Sequence, residues 1–221
     1  LEKRRIILRD NRQLLMKQKF NQPSISVLIP VWNDEIHIEQ CISSVLNQDY
    51  PNVLVLISDN NSSDATPLII KELCKEKMNV KIFTQPENIG SHNNFVFLSK
   101  QIQTDYFMFL GSDDVIHESY LSEMIAELHK SNEFVAVFPN AVYEPKGGQN
   151  HPGVTHDYRN VGLALRLIRY LFSVKDNGIF HALIRKEVLK ETFSTAYSLR
   201  VSDIGIDHCW MLWVLASGDV R

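Results

Sequence analysis

Tyr106-Phe107-Met108-Phe109-Leu110 runs straight into Gly111-Ser112-Asp113-Asp114. Five consecutive apolar residues suit a strand buried on both faces. Two adjacent acids at the end of such a strand are a costly place for charge unless something offsets it. The same two-part unit occurs twice upstream. Ile25-Ser26-Val27-Leu28-Ile29-Pro30-Val31 leads into Trp32-Asn33-Asp34, and Val53-Leu54-Val55-Leu56-Ile57 leads into Ser58-Asp59-Asn60-Asn61. In open parallel sheets, ligands gather beyond the carboxyl ends of the strands. Three polar loops of this kind therefore predict one shared site.

The segments between these strands read as helices. Ile38, Cys41, Ile42, Val45 and Leu46 recur at helical spacing, with Asn33 or Asp34 as a start signal and Pro51 beyond the end. Thr66-Pro67 opens a second helix, with Ile69, Ile70, Leu73 and Cys74 on its inner face. Val80 to Phe83 reads as a third strand, Ser91 to Gln103 as a helix, and Phe134 to Phe138 as a fifth strand. A helix carrying Leu121, Met124, Ile125 and Leu128 precedes that last strand. Strands alternating with helices predict βαβ units, a mainly parallel sheet and helices on both faces.

Outside this core the pattern changes. Leu1 to Gln22 interleaves seven Lys and Arg residues with Ile6, Ile7, Leu8, Leu14, Leu15 and Met16. It reads as a linker helix packed on the domain, or as a basic amphipathic helix able to lie on an anionic membrane. Glu144 to Asn160 is rich in Pro and Gly and reads as a mobile loop. Val161 to Phe172 and His208 to Ala216 read as helices, and Gly178 to Ile184 as a return to the sheet. The expected division is a segment 1–22, a first subdomain 23–140 and a second subdomain 141–221 truncated at its end.

Composition narrows the function classes. In 221 residues, 23 Lys and Arg stand against 26 Asp and Glu, a net charge of -3 that gives no reason to expect nucleic acid. Cys41, Cys74 and Cys209 are far apart and odd in number, which suits a reducing, cytoplasmic setting. No apolar run approaches the ~20 residues needed to span a bilayer, and no secretory signal opens the chain. Starting at Leu1 is expected of a piece of a longer protein.

The polar loops offer specific chemistry. Asp113 and Asp114 can bind Mg²⁺ or Mn²⁺ through hard carboxylate oxygens, or cap a helix near His117 to Lys130. Asp59 can accept hydrogen bonds from a base or a ribose hydroxyl, or belong to a plain polar loop in which Asp64 or Thr66 caps the next helix. Gly90 can let backbone approach a ligand, and Ser91 can cap. Asp207, with Asp203 as its rival, is either a helix cap or a general base for an acceptor hydroxyl.

Order and spacing together resemble the bacterial family 2 glycosyltransferases of the GT-A fold, a Rossmann-like three-layer αβα sandwich. The resemblance rests on Ser26 to Asn33, Cys41 to Pro51, Ser58 to Thr66, Asn88-Ile89-Gly90 and Ser112-Asp113-Asp114. It implies an inverting transfer from a nucleoside-diphosphate sugar to a hydroxyl-bearing glycan or lipid-linked acceptor, with Mn²⁺ or Mg²⁺, in surface polysaccharide or glycan synthesis. Pro30, Val31, Asn33, Asp59, Asn60, Asn88, Gly90, Asn94, Ser112 and Asp113 would meet the nucleotide sugar. Asp114, with Asp113, would hold the metal, and Asp207 would match the base. A sugar nucleotidyltransferase would carry a Gly-rich basic loop where Trp32-Asn33-Asp34-Glu35 stands. A dehydrogenase would carry GxGxxG after the first strand. A non-catalytic nucleotide-sugar-binding module is the non-enzymatic alternative.

Overall fold

Strand β1 (Ile25–Val31) lies inside the sheet, so both of its faces need apolar cover. Ile25, Val27, Ile29 and Val31 turn to one side and Leu28 to the other, and all are buried. The computed structural model describes residues 22–138, 142–143, 151–152, 158, 161–173, 181–189 and 214–220.

The elements follow the expected alternation. After β1 come α1 (Ile38–Leu46), β2 (Val53–Asp59), α2 (Thr66–Leu73), β3 (Val80–Thr84), α3 (Ser91–Ser99), β4 (Tyr106–Phe109), α4 (Tyr120–Leu128) and β5 (Phe134–Val137). A two-residue antiparallel pairing joins β6 (Val142–Tyr143) to β7 (His151–Pro152), which falls inside the stretch 144–160. Then come α5 (Leu163–Ser173), β8 (Leu183–Arg185) and β9 (Asp219–Val220). The seven-stranded sheet has the order β3-β2-β1-β4-β8-β5-β9. The β1–β2, β2–β3 and β1–β4 pairs are parallel.

Two apolar layers cover the sheet. On one face α1, α2 and α4 supply Cys41, Ile42, Val45, Ile70, Leu121, Ile125 and Leu128. On the other face Leu98 of α3 and Tyr170 of α5 meet Leu28, Leu56, Phe107, Phe109 and Ile184. The result is a three-layer αβα sandwich with a mainly parallel sheet. Arg166 of α5 donates to the Leu215 and Val161 carbonyls at 2.9 and 3.0 Å and pairs with Asp219, tying α5 to β9.

Several local expectations need correction. The return to the sheet is real, but β8 runs antiparallel between β4 and β5, separating two strands that follow each other in sequence. Neither Asn33 nor Asp34 caps α1 with its side chain. His37 is the N-cap, and the Asp34 carbonyl accepts the first bonds from His37 and Ile38 at 3.3 and 3.1 Å. Pro67 is the second residue of α2, and Ala65 is its N-cap. Gly90, not Ser91, caps α3, which ends at Ser99. The Asp113-Asp114 pair does not cap a helix: α4 begins at Tyr120 with Ser119 as its N-cap. The expected basic helix in 1–22 falls almost wholly outside the described residues, as does most of the 144–160 loop.

Candidate functional site

The loops after β1 and β2 brace each other. Asn33 takes a left-handed conformation, φ 49°, which asparagine tolerates better than most residues. Its amide N–H donates to Ser62 Oγ at 2.9 Å, and its side-chain oxygen accepts from the Ser63 N–H at 2.8 Å. The Asp34 N–H donates to Thr66 Oγ1 at 2.9 Å, and the Ala65 N–H to Glu35 Oε2 at 2.8 Å. Side chains of one loop thus satisfy backbone donors of the other, fixing two carboxyl ends of the sheet relative to each other.

Beside this brace opens a cleft of about 390 Å³, within the usual size range of small-molecule sites. Pro30, Val31, Trp32, Asn60, Asn88, Gly90, Ser91, Asn94 and Phe95 line it. Asn60 Nδ2 donates to Asn88 Oδ1 at 2.9 Å, while Asn60 Oδ1 accepts from the Ile89 N–H at 2.9 Å. Gly90 sits at φ 82°, ψ 157°, a region essentially closed to residues with a Cβ. Asn94 is buried, and its amide bonds both Ser58 Oγ (2.6 Å) and the Ser58 carbonyl (2.9 Å). It therefore anchors α3 to β2 while forming part of the cleft wall.

Asp59 stands opposite Val31 in the β1–β2 register. It is 2% exposed. One carboxylate oxygen accepts from the Ser62 N–H at 3.1 Å, and the other, buried, has no hydrogen-bond partner. An unpartnered buried carboxylate oxygen is destabilising unless a ligand uses it.

Beyond β4, Asp113 and Asp114 converge on one spot. A Cβ placed on Gly111 would lie 2.9 Å from Asp113 Oδ1 and 2.5 Å from Asp114 Oδ2. The two carboxylates thus share a cradle that only glycine leaves open. Below it, the buried Cys41 thiol donates to the Gly111 carbonyl at 3.3 Å. Burial, then the charges of Asp114, Asp34 and Asp113, push that thiol far above its usual pKa. The surroundings are therefore electronegative, as a cation site requires. Among the described residues, no three His, Cys, Asp or Glu side chains form a ready metal cage. Two hard carboxylates do suit Mg²⁺ or Mn²⁺, which commonly complete their shell with water and substrate phosphates.

The model of glycosyl transferase family 2 matches residues 26–193, about three quarters of the chain. The chain belongs to glycosyl transferase family 2. Among similar proteins is the GalNAc(5)-diNAcBac-PP-undecaprenol beta-1,3-glucosyltransferase of Campylobacter jejuni, 32% identical over 57% of this chain and 40% of that one. Another is the poly-beta-1,6-N-acetyl-D-glucosamine synthase of Staphylococcus epidermidis, 28% identical over 91% of this chain and 53% of that one. The family 2 chain thus spans about half the length of these relatives. Its backbone also superposes on S. aureus TarS 1-349, with a TM-score of 0.66 and 19% identity over 90% of this chain and 58% of that one. The mannosyltransferase PcManGT of Pyrobaculum calidifontis, solved with GDP-Man and Mn²⁺, gives a TM-score of 0.61 and 16% identity over 91% of this chain and 55% of that one. These likenesses establish the GT-A fold.

In this family 2 chain, Pro30, Val31, Asn60, Asn88, Gly90 and Asn94 come together in one cleft. Asn33 is occupied in the loop brace, and Ser112 lies in the loop that carries the acid pair. Asp203 and Asp207 lie outside the described residues. Sequence reasoning missed Trp32 as a wall of the cleft, although its place directly after β1 is a signal. It also missed His181, whose Nε2 lies 3.2 Å from Asp114 Oδ2. A single histidine ahead of a short apolar run carries no spacing that points to Asp114.

Proposed function

We propose that this chain transfers a sugar from a nucleoside-diphosphate sugar to a hydroxyl on a glycan or lipid-linked acceptor, with inversion and with a divalent cation, in polysaccharide assembly. The carrying observation is Asp59: a buried carboxylate oxygen without a partner, on a residue that precedes Asn60 and pairs with Val31, two residues that line the cleft. An acceptor in that place matches the imide N–H of a uracil ring. The names of similar proteins support the reading. TarS structures hold UDP and UDP-GlcNAc, and the Campylobacter relative is named for a lipid-linked acceptor.

In this reading Asp59 fixes the base, and the Asn60–Asn88 pair and Gly90 hold the loop over the nucleoside. Asp113 meets the ribose or the donor sugar. Asp114, with Asp113, holds Mn²⁺ or Mg²⁺, which when bound stabilises charge on the departing diphosphate. Asp207, or Asp203, takes the proton from the acceptor hydroxyl. One base and a positioned acceptor suffice for a single inverting displacement. Among the described residues, no helix is long and apolar enough to cross a membrane. The reading places the enzyme in the cytoplasm, its basic segment 1–22 lying on the membrane that holds a lipid-linked acceptor.

The test is thermal unfolding with a panel of nucleoside diphosphates, with and without Mn²⁺. UDP with Mn²⁺ raises the melting temperature, as ligands of the native state do. Asp114→Ala abolishes the metal-dependent part. A melting temperature unmoved by every nucleotide refutes the reading. Binding without release of sugar, in a chain extended past Arg221, turns it into a non-catalytic binding module.

A further inference from the structure

His181 reaches the site because β8 is antiparallel. The pairs Tyr106↔Arg185 and Phe107↔Ile184 step in opposite directions along the chain. The residues just before β8 therefore arrive where β4 ends, at the ligand edge of the sheet. The His181 ring touches both the end of β4 and the acid pair. Nδ1 lies 3.4 Å from the Phe109 carbonyl oxygen, and Nε2 lies 3.2 Å from Asp114 Oδ2. The backbone is fixed as well, since the Tyr120 hydroxyl donates to the His181 carbonyl at 2.6 Å. Burial pushes the Tyr120 pKa up, which keeps that hydroxyl a donor.

The Phe109 carbonyl can only accept, so the tautomer with its hydrogen on Nδ1 satisfies that contact. In a neutral ring, Nε2 then turns its lone pair toward a carboxylate oxygen. Two acceptors facing each other at this distance repel, and a cation shared between them converts that repulsion into coordination. The spacing fits: two ligands about 2.1 Å from one ion, near a right angle, lie about 3 Å apart. Metal-ligating histidines commonly donate their other ring N–H to a backbone carbonyl, which fixes tautomer and orientation.

We propose that His181 ligates, through Nε2, the same divalent cation that Asp114 holds. The proposal rests on the metal-dependent reading above and adds a nitrogen donor to it. A site with one imidazole favours Mn²⁺ over Mg²⁺, which prefers oxygen.

The test is electron paramagnetic resonance of Mn²⁺ titrated into the full chain, first alone and then with UDP. Bound Mn²⁺ shows electron spin-echo modulation from a directly coordinated nitrogen. His181→Ala removes that modulation and weakens Mn²⁺ binding at least tenfold, while the melting temperature without metal stays near wild type. The wild-type spectrum decides even where the alanine variant folds poorly, and His181→Gln gives a second variant that preserves bulk. Bound Mn²⁺ without nitrogen modulation, modulation that persists in His181→Ala, or unchanged affinity in that variant each overturns the His181 assignment and leaves Asp114 as a metal ligand. Absence of Mn²⁺ binding even with UDP overturns the metal-dependent reading itself.

Discussion

Asp59→Asn separates a residue kept for binding from one kept for folding. The carboxylate is 2% exposed, with one oxygen bonded to the Ser62 N–H and the other unpartnered. The asparagine amide oxygen retains the Ser62 bond, and a neutral NH₂ replaces the unpartnered oxygen. A buried polar group without a partner costs about 1–3 kcal/mol, and more when charged. The substitution therefore leaves the unliganded fold unchanged or stabilises it by about 1 kcal/mol, a rise of roughly 2–4 °C for a chain of this length. Binding moves the other way. A hydrogen bond to a charged acceptor contributes about 1.5–3 kcal/mol, and here a donor would face the imide donor. The dissociation constant for UDP rises roughly 10- to 100-fold. Calorimetric titration with UDP and Mn²⁺, beside thermal unfolding without ligand, reads both effects. A melting temperature several degrees lower together with unchanged UDP affinity refutes the reasoning and makes Asp59 a structural residue.

Other consequences can be checked in the same way. Gly111→Ala puts a methyl into the cradle shared by Asp113 and Asp114, whose flexible side-chain ends can swing aside; Mn²⁺ binding weakens by titration while the melting temperature moves by no more than about 2 °C. Gly90→Ala imposes strain of about 1–3 kcal/mol at φ 82°, ψ 157°, lowering the melting temperature by several degrees and weakening UDP binding. Asp105 anchors the start of β1 to β4 through the Ser24 N–H and hydroxyl, each at 2.7 Å. Those two bonds hold its carboxyl below the ordinary value of 3.8. A lowered folded-state pKa gives stability that is full above about 3.8 and is lost as pH falls through the folded value. Asp105→Asn therefore flattens the acid side of a melting-temperature profile, and an unchanged profile contradicts the assignment.

The sheet and the polar loops beyond its strands were legible because their signals are local. Ile25–Val31, Val53–Asp59 and Tyr106–Phe109 are buried strands, and each polar loop follows its strand directly in sequence. What stayed hidden depends on distant partners. Asn33 and Asp34 look like helix caps, but they bond Ser62, Ser63 and Thr66 about thirty residues away. The three residues of β8 are too few to reveal direction, so the arrival of His181 beside Asp114 is a consequence of topology alone. Gly111 carries no chemistry of its own; its meaning is the space it leaves to two carboxylates.

Diffraction from crystals of this chain grown with UDP and Mn²⁺, recorded at the manganese absorption edge, tests the central claim most directly. The account predicts an anomalous peak about 2.2 Å from an Asp114 carboxylate oxygen, the diphosphate beside it, and the uracil ring hydrogen-bonded to Asp59 in the cleft lined by Val31, Asn60 and Gly90. Nucleotide seated away from that cleft, or manganese bound elsewhere, would contradict it.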